Sequence, residues 1–264
     1  MEVREPAPAL RPFVSRYVGY RVEGFPPRLH RGLPSGSVTL ILSLDQPVDI
    51  AAMPVRSERP RSLDALVAGL HAAPAMIAER GRSHGVQLEL NPLGVRALLG
   101  LPAGELASTV VSLEDVLGRS GRELVDQFAD ARGWSERFAV LDQVLARRAA
   151  DAAAPAATPL AWAWARLVAT GGAADVRGLA ATVGWSRRHL TDRFRRELGL
   201  PPKLAARVIR FQRSRELLAS PGRPGLADIA LACGYYDQAH LTRDWRELAG
   251  CSPTVWMAEE LVGD

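Results

Sequence analysis

The chain is short of cysteine, of aromatic residues and of long apolar runs, and each shortage excludes something. Two cysteines in 264 residues cannot build a disulfide framework. Cys233 falls on the inner face of an amphipathic segment and Cys251 in a short loop. Both read as small buried fillers in a reducing compartment. No apolar stretch approaches the roughly 18–20 residues that cross a bilayer. Met1-Glu2-Val3-Arg4-Glu5-Pro6 lacks the charged start and apolar run of a secretory signal. A cytoplasmic location with no membrane partner is therefore expected. Neither Gly118-Arg-Ser-Gly121 nor any other glycine cluster has Walker or dinucleotide spacing, so no nucleotide cofactor is expected.

What the chain does have is a pattern of about twenty residues used twice. The first copy reads Leu179-Ala-Ala-Thr-Val-Gly184-Trp185, then His189-Leu-Thr-Asp-Arg-Phe194-Arg195, closing at Gly199 and Pro202. The second reads Ile229-Ala-Leu-Ala-Cys-Gly234-Tyr235, then His240-Leu-Thr-Arg-Asp-Trp245-Arg246, closing at Gly250 and Pro253. Each copy predicts a short apolar helix, a glycine turn and a second helix, the shape of a helix-turn-helix whose second helix fits a DNA major groove. Gly184 and Gly234 suit the C′ position, where φ is positive. Ser186 and Asp237 are placed to cap the second helices. Leu190, Phe194, Leu241 and Trp245 point inward. That leaves Arg187, Arg188, Thr191, Asp192 and Arg195 outward in the first unit, and Gln238, Ala239, Thr242, Arg243 and Arg246 in the second. His189 and His240, at equivalent repeat positions, read as structural. The first unit is expected at about 176–197 and the second at about 227–248.

Between the units, about 203–219 carries Leu204, Val208, Phe211, Leu217 and Leu218 near a 3.6-residue period. A helix of that length spans roughly 25 Å, enough with its flanking bodies to hold two recognition helices about one DNA turn apart, near 34 Å. Arg207, Arg210, Arg213 and Arg215 are expected on its exposed side, where they suit phosphate contact. Charge agrees with this division. Residues 176–223 hold 12 Lys+Arg against 3 Asp+Glu, net +9, while residues 1–157 hold 18 of each. From 224 onward the count is 2 against 7, so the second unit is expected to make fewer phosphate contacts.

These residues carry a resemblance. Asp228-Ile-Ala-Leu-Ala-Cys-Gly234-Tyr235, Asp237-Gln-Ala-His-Leu-Thr-Arg243, Trp245 and Gly250-Cys-Ser-Pro253 make 158–264 resemble the DNA-binding domain of AraC/XylS-type bacterial transcription regulators. The resemblance implies seven helices and two recognition helices entering successive major grooves of double-stranded promoter DNA. It also implies an activator that meets RNA polymerase. Carried over by position, base contacts fall to Arg188, Thr191 and Asp192, and to Gln238, Ala239, Thr242 and Arg243. Tyr236, beside the second turn, joins the candidate contact set. Asp192 departs from the family, which often has arginine there. An aspartate can accept from cytosine N4, or it can orient Arg188 or Arg195.

Ala149-Ala-Asp-Ala-Ala-Ala-Pro155-Ala-Ala-Thr-Pro159 is low in complexity and marks a boundary, with a sensor or dimerisation domain at 1–150 and a linker at 151–157. In the first domain, 38–44 is β-rich and 86–90 alternates as a half-buried strand does. Leu63–Leu70 reads as another strand. After Pro92 the pattern turns helical at 93–99, 113–117, 122–131 and 136–148. The fold class is α+β: a small β-barrel or sandwich with helices, then an all-α half. With its strand, Asn91-Pro92-Leu93-Gly94 and following helix, the first half resembles the often cupin-like sensor of the same regulators, a likeness that implies no particular ligand; control through a small-molecule effector or a homodimer is expected. Gly81-Arg-Ser83-His-Gly85 fits a nucleophile elbow, but a strand follows it where a helix is required, so a turn is expected and no catalytic residue. His30, His71, His84 and Glu89 invite a metal, yet the cupin spacing of two histidines one residue apart is absent and no metal is expected. A small-molecule-binding or enzymatic protein whose helical tail only assembles subunits is the alternative. A DNA-repair role would need a reactive thiol, and 1–150 has no cysteine.

Overall fold

The computed structural model describes residues 1–55, 57–150 and 158–260. The linker expected at 151–157 lies outside the described residues. The first half is built from strands β1 (Glu2–Arg4), β2 (Val14–Glu23), β3 (Arg28–Gly32), β4 (Val38–Ser43), β5 (Val48–Ala52), β6 (Arg61–Leu63), β7 (Ala65–Ala68), β8 (Ala75–Glu79), β9 (Arg82–Leu90) and β10 (Val110–Ser112). Helices α1 (Val95–Leu99), α2 (Leu113–Leu117), α3 (Arg119–Asp130) and α4 (Trp134–Ala150) belong with them. The second half is helical: α5 (Pro159–Ala169), α6 (Val176–Thr182), α7 (Arg187–Leu198), α8 (Pro202–Ala219), α9 (Leu226–Ala232), α10 (Gln238–Ala249) and α11 (Pro253–Glu260).

The strands form two antiparallel sheets, in the orders β1-β2-β9-β4-β7-β10 and β3-β8-β5-β6. Neither closes on itself, so the first half is a two-sheet sandwich and not a barrel. Period-2 alternation decides which face goes where. On β4, Val38, Leu40 and Leu42 are fully buried while Thr39, Ile41 and Ser43 are half-buried; β9 does the same with Val86, Leu88 and Leu90 against Gln87 and Glu89. The first set meets Leu98, Phe138, Leu141 and Leu145 of the covering helices in one core. Each such side chain contributes about 1.5–3 kcal/mol by leaving water. The second set looks toward the other sheet.

The long strand β2 was not legible in the sequence, because arginine, glycine and tyrosine break its alternation. Its glycine has a packing reason: a Cβ on Gly19 would lie 2.6 Å from the Trp134 ring of α4. Beside it Tyr17 stacks on Phe138 at 5.8 Å and donates to Asp142 at 2.9 Å. Leu63–Leu70, read as one strand, is split at Asp64. β6 pairs in the small sheet and β7 in the large one, so the chain changes sheets there.

The two halves are packed together. The C-terminal end of α7 abuts the 3-10 turn Ala103–Leu106: a Cβ on Gly104 would meet the Arg196 carbonyl oxygen at 2.2 Å, and one on Gly199 (φ +91) would meet Ala107 Cβ at 2.4 Å. Arg96 pairs with Glu197 at 2.9 Å, and the Gly36 N–H donates to Gln212 Oε1 of α8 at 2.8 Å. At the far end His30 pairs with Glu260 at 2.8 Å and Arg31 with Glu259. Burial alone raises the Glu260 carboxyl. The bonds from His30 and the Arg31 N–H outweigh it and hold that carboxyl below its ordinary range. Because Gly104 faces backbone, which cannot swing aside, Gly104→Ala is expected to part the halves without unfolding either. Small-angle scattering should show a larger radius of gyration with an unchanged far-ultraviolet spectrum.

Candidate nucleic-acid interface and interior cavity

The local physics of the two helix-turn-helix units matches their sequence repeat. Asp175 caps α6 by accepting from Gly178 N–H at 2.8 Å. Gly184 (φ +71) and Gly234 (φ +74) make the turns in the left-handed region that glycine tolerates. Ser186 then accepts from His189 N–H at 3.1 Å, and Asp237 from His240 N–H at 2.7 Å. Each cap is worth about 1 kcal/mol. Leu190, Phe194, Leu241 and Trp245 are fully buried, and Cys233 and Cys251 are buried free thiols. His189 stands edge-on to Trp185 at 4.6 Å and His240 to Tyr235 at 5.2 Å, so both rings brace their own turn.

α7 and α10 are each 12 residues long and present matching outer faces. Arg187, Arg188, Asp192 and Arg195 are exposed and Thr191 half-exposed; Tyr236, Gln238, Ala239, Arg243 and Arg246 are exposed and Thr242 half-exposed. Thr191 and Thr242 donate their hydroxyls to the carbonyl one turn back, Arg187 O at 2.8 Å and Gln238 O at 2.9 Å. With those protons committed, each threonine offers a methyl and an acceptor outward. Asp192 lies 4.0 Å from Arg188, an exposed i,i+4 pair. Arg187, Arg188, Thr191 and Arg195 line one groove with Lys203 and Arg207 of α8 and His240 of α10. Gln238, Ala239, Thr242, Arg243 and Arg246 line a shallow recess on α10 itself. Arg177 and Lys203 on the first groove were missed individually, although both lie in the basic block.

Three arginines of α8 are not the free, exposed cations expected from the sequence. Arg207 donates to Asp244 Oδ1 at 2.7 and 3.2 Å and also pairs with Glu247. The Asp244 hydrogen bond raises its already high pKa. Arg210 lies over the Tyr235 ring at 5.2 Å and reaches Gly172 O at 3.4 Å. Arg215 turns away from the DNA-reading side and into the other half. Arg213 alone of the four is exposed as expected. The physical reason is that α8 buries side chains on most of its circumference, including Ala205, Val208, Ile209, Phe211, Ser214 and Leu218. Arg215 sits at the i+4, i+7, i+11 spacing from Leu204, on the apolar stripe, and that signal was available.

Arg215 reaches a cavity of about 670 Å³ between the two sheets. Val18, Phe25, Ile41, Leu66 and Ile77 supply apolar wall, and Arg215, Glu216 and Ala219 of α8 with Trp256 and Glu260 of α11 complete it. Burial pushes the Tyr20 phenol up to about 12 and the His71 imidazole down, so both wall groups are neutral near pH 7. Arg28 pairs with Glu79, Arg31 with Glu259 and His30 with Glu260. Arg215 makes no hydrogen bond or ion pair among the described residues, and burial lowers its pKa. The groups that invited a metal are apart and engaged: His71 with Ala73 O, His84 with Asp45, Glu89 with Arg16. No cluster of three or more metal-binding side chains occurs among the described residues. Ser83 lies within β9 opposite Val22, after the Gly81 turn, and not on an elbow. No helix of the described residues is long and apolar enough to cross a membrane.

Two helix-turn-helix units on a shared central helix define the class of the second half, a helix-turn-helix DNA-binding domain. Residues 179–259 match the family model described as a helix-turn-helix domain, and residues 2–112 match one described as a domain of unknown function (DUF6597). The second half is of the AraC type. Among solved structures, ToxT from Vibrio cholerae O395 aligns with a TM-score of 0.52 at 10% identity, covering 92% of this chain and 96% of that one. ToxT from Vibrio cholerae strain SCE256 with an unsaturated fatty acid bound aligns at 0.53 and 9%, covering 97% of each chain. The DNA-binding domain of AdpA, solved with a target DNA, aligns at 0.37 and 27% over 40% of this chain and all of that one. The ToxT alignments show a common two-domain fold. A search of curated protein sequences returns no match.

Arg243 is exposed on the outer face of α10 with no ion pair among the described residues. Arg243→Ala is expected to cost about 1–3 kcal/mol in binding and to relax preference at one base position. Competition binding on a panel of single-base variants checks this, and equal losses on every sequence would make Arg243 a phosphate contact.

Proposed function

We propose that the protein is a sequence-specific DNA-binding transcription regulator whose N-terminal half senses a small-molecule effector. The observation that carries the reading is the duplicated unit itself: two capped helices of equal length, each with polar and basic side chains outward, mounted on one rod. Binding energy comes mainly from arginine–phosphate pairs, Arg187, Arg195 and Arg213 among them. Specificity comes from Arg188, Thr191, Gln238, Thr242 and Arg243. Asp192 orients Arg188 in this reading. The same proposal includes domain limits of 1–150 and 158–264 around a 151–157 linker. It also includes a cytoplasmic, non-enzymatic activator meeting RNA polymerase, as monomer or homodimer. A gel shift on the DNA upstream of its own operon tests it. A salt-sensitive band that survives non-specific competitor is expected; its absence favours a small-molecule-binding protein whose helical half serves assembly.

The effector site in this reading is the 670 Å³ cavity. One ToxT structure holds an unsaturated fatty acid and another a naphthalenyl butenoic acid, each an apolar body ending in a carboxylic acid. The apolar walls here and the unpaired Arg215 guanidinium suit a ligand of that kind, the cation taking the carboxylate. Since Arg215 belongs to α8, such a ligand touches the rod that carries both DNA-reading units. A long-chain unsaturated fatty acid, added below its micelle concentration, is expected to raise the melting temperature of the full chain. Arg215→Ala should remove that rise while leaving the unliganded protein folded. A rise of equal size in the variant would place the ligand elsewhere.

A further inference from the structure

We infer that Arg207 is a positioning residue for the second recognition helix: through Asp244 it sets the rotation of α10 about its own axis, and so decides which side chains the second unit shows to DNA. The inference rests on the DNA-binding reading above. Two adjacent residues of α10 are anchored to α8 at points seven residues apart. Asp244 takes two donors from Arg207. Trp245 donates its indole N–H to Ser214 Oγ at 2.9 Å, and Ser214 in turn donates to Phe211 O at 2.7 Å. Seven residues are about two turns, or roughly 10 Å along α8. Adjacent residues point about 100° apart around α10. Two anchors separated along one helix and around the other fix both the height and the rotation of α10.

The ion pair is the demanding member of the two. Asp244 is 4% exposed, and its second oxygen, Oδ2, is buried without a hydrogen-bond partner among the described residues. Compensation of that charge therefore falls on Arg207. Without the guanidinium the carboxylate must reach water, and it can do so only by turning the helix that carries it. Arg243 directly precedes Asp244, so any such turn moves Arg243, Thr242 and Arg246 with it.

The first unit has no counterpart among the described residues. Arg193, at the repeat position equivalent to Asp244, pairs with Glu197 of its own helix at 3.7 Å. α7 is held instead by the first half, through Arg96–Glu197 and the Gly104–Gly199 contact. Losing the α8–α10 ion pair should therefore leave the first unit's readout intact. A phosphate-contact role for Arg207 predicts something different, a uniform loss on all sequences and a salt slope smaller by about one.

The test is selection of preferred DNA from a random duplex pool by the full chain, by Arg207→Ala and by Asp244→Asn. The wild-type chain is expected to select a bipartite motif. Both variants should keep the half read by α7 and lose the roughly 5- to 150-fold preference per position in the half read by α10. Asp244→Asn is decisive, because it removes no cation. That variant leaves Arg207 its charge and its Glu247 partner, so a phosphate role for Arg207 predicts an unchanged motif. An unchanged bipartite motif in both variants overturns the inference, as does loss of both halves in a variant that melts at the wild-type temperature. Should Arg207→Ala not fold, the Asp244→Asn arm decides alone. A wild-type chain that selects no sequence at all sinks the DNA-binding reading and not this inference.

Discussion

One helix has to satisfy three neighbours at once. α8 carries the hydrophobic stripe that unites the helix-turn-helix units, an arginine that anchors α10, and an arginine that enters the cavity of the sandwich. A surface helix can spend half its circumference on water; this one cannot. Alanines at 205 and 206 and Ser214, all buried, let neighbouring backbones come close, and the remaining arginines must each find a distinct exit. Arg213 finds solvent, Arg207 and Arg210 find partners in the second unit, and Arg215 finds the cavity.

That crowding gives the molecule its asymmetry. The two units are near copies in sequence, in caps and in turn geometry, yet they are held differently. The second is fixed to the rod by Asp244 and Trp245. The first is held by the sandwich half at its C-terminal end, where Gly104 and Gly199 let the backbones touch. An event in the cavity thus has two physical routes outward: directly along α8, and through the Ala103–Leu106 turn to α7. Coupling between sites needs elements with two arrangements that both sites bias, and α8 touches both.

Much of the site was legible in the sequence because it is local. Capping by Ser186 and Asp237, the turns at Gly184 and Gly234, and the inward set Leu190, Phe194, Leu241 and Trp245 all follow from residues within a few positions of one another. The outer faces of α7 and α10 are simply what the inward set leaves over. The sandwich was legible only in part. β4 and β9 show clean alternation, whereas β2 hides behind Gly19, which is there for the Trp134 ring and not for the strand. Leu63–Leu70 has one strand-like pattern but serves two sheets, and nothing local announces the crossing at Asp64.

By itself, then, the sequence determined the two helix-turn-helix units, their caps, their buried faces and the basic field around the first, because short-range periodicity and turn chemistry suffice for those. Only the tertiary structure decided where the α8 arginines go, since a guanidinium on a crowded helix is placed by partners far along the chain, as Tyr235 places Arg210 and Asp244 places Arg207. It also decided that the sandwich stays open and that its cavity is walled partly by the DNA-reading half. Those outcomes depend on how two cores meet, and no local pattern of side chains encodes that meeting.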